Sequence, residues 1–195
     1  MTRPTIVYLH GFRSSPASIK ARVLGEAVAR LPEASRPRLH VPELDHRPAR
    51  AMAAILALAE AADAGSLTFV GSSLGGFYAT HAAERLAARA IVVNPAVRPY
   101  DDLAPYLGRQ ENLYTGAAFD VTPAHLAELR ALAVARITRP ARYLLFAQAG
   151  DEVLDYREAV RFYAGAWQSV QGGGDHGFQR FDAAVPALLR FAGVG

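Results

Sequence analysis

The sequence predicts an α/β protein: a mostly parallel sheet of about six strands with helices on both faces, in three layers. Three observations predict it. Short apolar runs alternate with runs of helical period, the signature of successive right-handed βαβ units. Runs such as IVVN, up to its closing Asn94, and YLLFA are continuously apolar rather than alternating, as expected of strands buried on both faces. The 195 residues, about half hydrophobic and a fifth charged, suit a single domain over 1–195 with a sizeable core.

The elements follow in order. TIVYLH (5–10) is β-rich and ends at Gly11. Residues 17–31 carry Ile19, Val23, Leu24, Ala27, Val28 and Leu31 at helical spacing and stop at Pro32. Residues 38–41 are a short strand, and 50–62 an alanine-rich helix with Met52, Ile55, Leu56 and Ala59 on one face. A strand at 67–70 and a helix at 75–87 follow, then a strand at 90–93. The C-terminal part reads strand 142–147, helix 156–163, strand 167–170 and helix 183–191. Nearly fifty residues separate the strands at 90–93 and 142–147, more than a crossover helix needs. Thr122-Pro123 starts that helix, as an N-cap followed by a first-turn proline. The surplus, about 98–122, reads as an insertion over one sheet edge, and its tyrosines and leucines favour a packed lid.

Composition narrows the function classes. The net charge is +3, with arginines scattered among acids and no basic stripe of the kind nucleic-acid binding requires. Lys20 is the only lysine, and nothing in the composition gives it weight. There are no cysteines, which excludes disulfides, thiolate nucleophiles and thiolate-ligated zinc. No signal-peptide pattern opens the chain and no apolar run approaches a membrane span, so a cytoplasmic setting is expected.

The chemistry concentrates in FVGSSLGGFYAT (69–80). Gly71-Ser72-Ser73-Leu74-Gly75 fits G-x-S-x-G between an apolar strand and a helix. A serine presented at a sharp strand-to-helix turn brings the residues two before and two after it close together. Only small side chains fit there. Gly71 and Gly75 satisfy this around Ser73, whereas Ser72 has Val70 and Leu74 at those positions. A serine hydroxyl needs a base. Of six histidines, His40, His46, His81 and His125 read as structural, as does His10 at a strand end. His176 lies in GGGDHGF, a glycine loop beyond a strand's C-terminal end, where this architecture places chemistry. The imidazole needs a carboxylate, and QAGDEVLD supplies Asp151, Glu152 and Asp155. Asp151 comes first beyond the strand, with Val153 and Leu154 to anchor the loop. Asp155 stays an alternative, Glu152 is expected to point away, and Asp175 to cap the His176 loop. An oxyanion hole is expected from the backbone N–H of Leu74 and that of Phe12, with Gly11 allowing close approach.

These residues carry a resemblance. The segments YLHGFRSSPASIKA, GSSLGGFYAT, NPAVRPYDDL, ENLYTG, GDEVLDYREAV and GGDHGFQRF, spanning 8–181, resemble the YqiA-like small bacterial esterases of the α/β-hydrolase superfamily. The resemblance implies a trimmed α/β-hydrolase fold and hydrolysis of carboxylic esters, with acyl thioesters as a further candidate class, with Ser73 as nucleophile, Asp151 as acid and His176 as base. It implies a small-molecule substrate, with no metal, organic cofactor, nucleic acid or membrane partner. Arg98, Tyr100, Tyr114 and the 112–116 stretch match without an evident chemical role; they are candidates for lining the pocket or ordering the lid, with Arg98 a candidate for an acidic substrate group. An acyltransferase, lactonase or peptidase on the same fold, or a non-catalytic scaffold, are the alternatives.

Overall fold

The structure is a computed structural model that describes residues 3–60, 62 and 65–194. Its strands are β1 (Thr5–Leu9), β2 (Arg38–His40), β3 (Leu67–Ser72), β4 (Arg89–Val93), β5 (Gly108–Glu111), β6 (Ala118–Val121), β7 (Tyr143–Gln148) and β8 (Trp167–Gln171). Six of them form one sheet in the order β2-β1-β3-β4-β7-β8, and every neighbouring pair is parallel. The helices are α1 (Ile19–Ala29), α2 (Pro48–Ala59), α3 (Leu74–Leu86), α4 (Pro99–Asp102), α5 (Pro123–Ala131), α6 (Tyr156–Phe162) and α7 (Phe181–Phe191).

Strand period explains the layering. On β1, Ile6 and Tyr8 join Val70, Ile91 and Phe146 under α1 and α7, which contribute Leu24, Val28, Val185 and Leu188. Val7 and Leu9 point the other way and join Phe69, Val92 and Leu145 under Met52 and Ile55 of α2, Phe77 of α3 and Leu129 of α5. Both sheet faces are therefore dry, which is why these strands read as unbroken apolar runs. Each fully buried aliphatic side chain contributes roughly 1.5–3 kcal/mol.

The strand order creates the site. From β1 the chain runs through α1 to the outer β2. From β3, beside β1, it runs through α3 toward β4 on the other side. The two connections leave in opposite directions and on opposite faces, so a crevice opens beyond the C-terminal ends of β1 and β3.

Several boundaries differ from expectation. α2 begins at Pro48, a favourable first-turn residue, and ends at Ala59 with Glu60 as C-cap; position 61 of the expected run lies outside the described residues. α7 begins at Phe181, whose buried ring anchors the first turn. The 98–122 insertion folds as α4, a single 3₁₀ turn and an antiparallel β5–β6 hairpin. The sequence does not signal that hairpin, because GRQE and AFDV are short, mostly exposed and carry no sustained alternation. Its 112–117 connection is organised by Asn112. The Asn112 Oδ1 accepts the N–H groups of Tyr114 (2.9 Å) and Thr115 (3.1 Å), and its Nδ2 donates to the Ser14 carbonyl (2.8 Å). α5 starts at the expected Thr122-Pro123, where His125 completes a capping box with Thr122.

Candidate active site

Ser73 sits between β3 and α3 with φ 54° and ψ −121°, a backbone conformation that costs of order 1–3 kcal/mol for a residue with a side chain. The turn is held on both sides. The Ser73 N–H donates to the Val93 carbonyl (3.0 Å), and its carbonyl accepts from Gly76 (2.9 Å) and Ala96 (3.1 Å). A Cβ at Gly71 would overlap the Gly75 carbonyl, as the elbow argument requires. A Cβ at Gly75 would overlap the Leu9 carbonyl of β1, so that glycine also lets α3 press against the neighbouring strand. Gly76 is equally constrained: a Cβ there would lie 2.6 Å from the Pro95 side chain.

His176, in the loop after β8, places Nε2 3.1 Å from the Ser73 Oγ. Its Nδ1 lies 3.0 and 2.9 Å from the two carboxylate oxygens of Asp151, which follows β7. A carboxylate only accepts, so Nδ1 carries the proton and donates to it; the neutral Nε2 then accepts the Ser73 hydroxyl proton. The Asp151 side chain is 2 % exposed. Burial alone would raise its pKa, but the His176 hydrogen bond and the Leu154 and Val153 amides, each 2.9 Å from Oδ1, outweigh it and hold the carboxyl below its usual range.

The other acids have different duties. Asp155 caps α6 by accepting the Arg157 N–H (2.9 Å). Asp175 accepts from the Gln179 side chain (2.9 Å). Glu152 was expected to point away; instead it turns back and accepts the His176 backbone N–H (2.9 Å).

The backbone N–H groups of Phe12 and Leu74 have no acceptor among the described residues, and both residues line one cavity with Ser73 and His176. His10 accounts for the orientation of the first. Its Nδ1–H donates to the Gly11 carbonyl (3.0 Å) and its Nε2 accepts the Leu44 N–H (3.2 Å). Because the peptide unit is planar and trans, fixing the Gly11 C=O toward His10 turns the Phe12 N–H the opposite way. Burial lowers the His10 pKa despite the Gly11 carbonyl and Glu43, which keeps the ring neutral for this task. A Cβ on Gly11 would lie 3.3 Å from the Ser73 Cβ, so this loop passes in contact with the serine.

Two side chains that sequence reasoning missed fix the His176 loop. Asn94, after β4, accepts the Gln148 N–H (2.9 Å) and donates to the carbonyls of Asp175 (2.9 Å) and His176 (3.2 Å). Gln148, at the end of β7, accepts from the N–H groups of Asp175 (3.2 Å) and Gln179 (2.8 Å) and donates to the Gln179 carbonyl (2.9 Å). A buried polar residue terminating an apolar strand was the available signal in both cases.

Cavities open on both sides of Ser73 and His176. One, of about 520 Å³, is lined by Leu103, Tyr106, Leu113 and Leu154. The other, of about 320 Å³, lies on the α1 side and includes Tyr114 and Lys20. Of the remaining pocket candidates, Arg98 lines neither cavity and is engaged by Glu158 (2.8 Å) and Asp101 (3.9 Å). Tyr100 lies beneath the Arg130 guanidinium, 5.3 Å from ring centre to Cζ, and packs on the core. Among the described residues no three His, Asp or Glu side chains converge as a metal ligand set, and no helix is long and apolar enough to cross a membrane.

Solved structures with the same architecture include the α/β-hydrolase domain-containing protein 10 from mouse (16 % identity, 97 % of this chain and 90 % of that one, TM-score 0.70). Est1E from Butyrivibrio proteoclasticus (15 %, 100 % and 90 %, TM-score 0.71) and the carboxylesterase CesB from Bacillus subtilis (15 %, 99 % and 85 %, TM-score 0.61) are similar in the same way. At these identities the likeness establishes the fold, that of the α/β-hydrolases. The model of the uncharacterised protein family UPF0227 matches residues 5–193, and the chain belongs to that family.

Proposed function

We propose that the protein is a serine esterase that hydrolyses carboxylic esters, and acyl thioesters of similar shape, through an acyl-enzyme. The observation that carries this reading is the hydrogen-bonded series Asp151–His176–Ser73, with the serine on a strained elbow beside two unpartnered N–H groups. The carboxylesterase name of one similar structure, CesB, agrees with it. In the proposed reaction His176 Nε2 accepts the Ser73 proton as Oγ attacks the carbonyl carbon. The developing oxyanion is met by the Phe12 and Leu74 N–H groups. His176 passes the proton to the departing alcohol or thiol, and the acyl group stays on Ser73. Water, deprotonated by the same imidazole, then attacks the acyl carbon, and Ser73 leaves with its proton restored. Asp151 orients the ring and stabilises its positive form throughout.

The test is labelling with a fluorophosphonate, followed by peptide mass spectrometry, in parallel with hydrolysis of short-chain aryl esters. The expected label falls on the peptide containing Ser73 and is lost or greatly slowed in His176→Ala. A folded wild-type protein that takes no label and turns over no ester would overturn the reading in favour of a non-catalytic scaffold.

A further inference from the structure

We propose that the cavity on the α1 side of Ser73 is an anion subsite, so that the preferred substrates are esters carrying a carboxylate or phosphate group on one side of the scissile bond. The inference rests on the esterase reading above and narrows it to a substrate class. Three independent features converge there.

The first is the N-terminus of α1. Helical hydrogen bonding begins with the Arg22 N–H donating to Ser18 (3.0 Å), and the N–H groups of Ile19, Lys20 and Ala21 have no acceptor among the described residues. Such an end attracts negative charge. The second is Ser18, the N-cap, which lines the cavity but caps nothing. Its Oγ is buried, with the residue 7 % exposed, and has no hydrogen-bond partner among the described residues. The buried Tyr8 hydroxyl neighbours it and lines the same cavity. A buried hydroxyl without a partner is costly, and a ligand oxygen would satisfy it. The third is Lys20, the one lysine of the chain and the only Lys or Arg lining this cavity. Its Nζ donates to the Gly177 carbonyl (2.8 Å), leaving two ammonium N–H groups for a ligand. Its pKa is lowered by burial, partly offset by Asp175 and Asp151; neither acid lines the cavity. The opposite cavity carries Leu103, Tyr106 and Leu154 together with Arg13, Asp102 and Glu152, so its one cation stands among two acids. The substrate is thus anionic on the α1 side of the reacting carbonyl.

The test compares kcat/KM for matched esters that end in a methyl group, a carboxylate or a phosphate, at constant ionic strength. Wild type is expected to prefer at least one anionic ester over the neutral one by about tenfold or more, and the better arm identifies the anion. That ratio is expected to collapse toward unity in Lys20→Met, fall several-fold in Ser18→Ala, and survive in Lys20→Arg. A neutral ester turned over as well as both anionic ones would overturn the subsite and leave the esterase reading standing. A preference unchanged in Lys20→Met would remove it from this cavity. Should no ester react and Ser73 take no label, a direct arm remains. Inorganic phosphate is expected to raise the melting temperature of wild type relative to chloride, and not that of Lys20→Met; equal shifts would count against the subsite.

Discussion

Replacing Asp151 with Asn tests the geometry of the site in a way that simple deletion does not. Oδ1 is committed to the Val153 and Leu154 amides at 2.9 Å, and both are donors. An asparagine must therefore keep its carbonyl oxygen in that position and place its NH₂ where Oδ2 stands, 2.9 Å from the His176 Nδ1. Oδ1, although 3.0 Å from Nδ1, already accepts two amides with its two lone pairs, and an NH₂ group only donates, so Nδ1 becomes an acceptor and the ring proton moves to Nε2, facing Ser73. The base is then blocked although its position is unchanged. A loss of about 10³–10⁴ in kcat is expected, equivalent to roughly 4–5.5 kcal/mol of transition-state stabilisation. The assay is steady-state hydrolysis of a small aryl ester together with ¹⁵N NMR of the labelled imidazole, which distinguishes the two tautomers. The wild-type ring is expected protonated at Nδ1 and the variant at Nε2. A variant within tenfold of wild type, or one that keeps the Nδ1 proton, would refute the reasoning.

Three further outcomes are expected. Gly75→Ala forces a Cβ into the Leu9 carbonyl and should cost about 2–3 kcal/mol or prevent folding, whereas Gly172→Ala, whose Cβ meets nothing within 4 Å, should stay within about 0.5 kcal/mol in urea denaturation. Asp102 lines the cavity on the side of Ser73 away from α1, and its pKa is raised to about 6, first by burial and then by Glu158. Its folded pKa exceeds the unfolded one, so its stabilising contribution is present at low pH and is lost as pH rises through about 6. Asp102→Asn should therefore raise the melting temperature at about pH 8, by an amount equivalent to about 1 kcal/mol after solvent screening, and change little at about pH 4. Finally, His176→Ala should remove nearly all ester hydrolysis, because the Ser73 Oγ loses the imidazole nitrogen 3.1 Å away; a folded variant within tenfold of wild type would contradict the mechanism.

The layered architecture, and the residues that the fold brings together at Ser73, were legible because each leaves a local trace. Unbroken apolar runs mark the buried strands, and the small residues around Ser73 mark a turn that no larger side chain tolerates. The positions of Asp151 and His176 followed from a rule about strand ends. What escaped reading depends on contacts between distant segments. Asn94 and Gln148 matter because β4, β7 and β8 end side by side, and no periodicity reveals which polar residue spans such ends. The two strands of the β5–β6 hairpin carry only Phe119 and Val121 as large apolar residues, too few to mark a strand by alternation. Arg98 looked suited to an anion until its neighbours Glu158 and Asp101 were placed beside it. Lys20 was invisible for the opposite reason: it stands in a helical run, and only the fold brings that helix end to Ser73.

The attachment of the hairpin has a kinetic consequence. Its tip is fastened to the residues directly after Phe12: Leu113 N–H to the Arg13 carbonyl (2.9 Å), Asn112 to the Ser14 carbonyl (2.8 Å), and Arg13 Nε to the Glu111 carbonyl (2.9 Å). A bulky substrate that pushes the hairpin outward would therefore drag on the same strap of backbone that carries one of the two proposed oxyanion donors. On the proposed mechanism, poor fit at the rim is felt as a misaligned N–H at the reacting carbonyl, and discrimination among substrates is written in turnover more than in affinity.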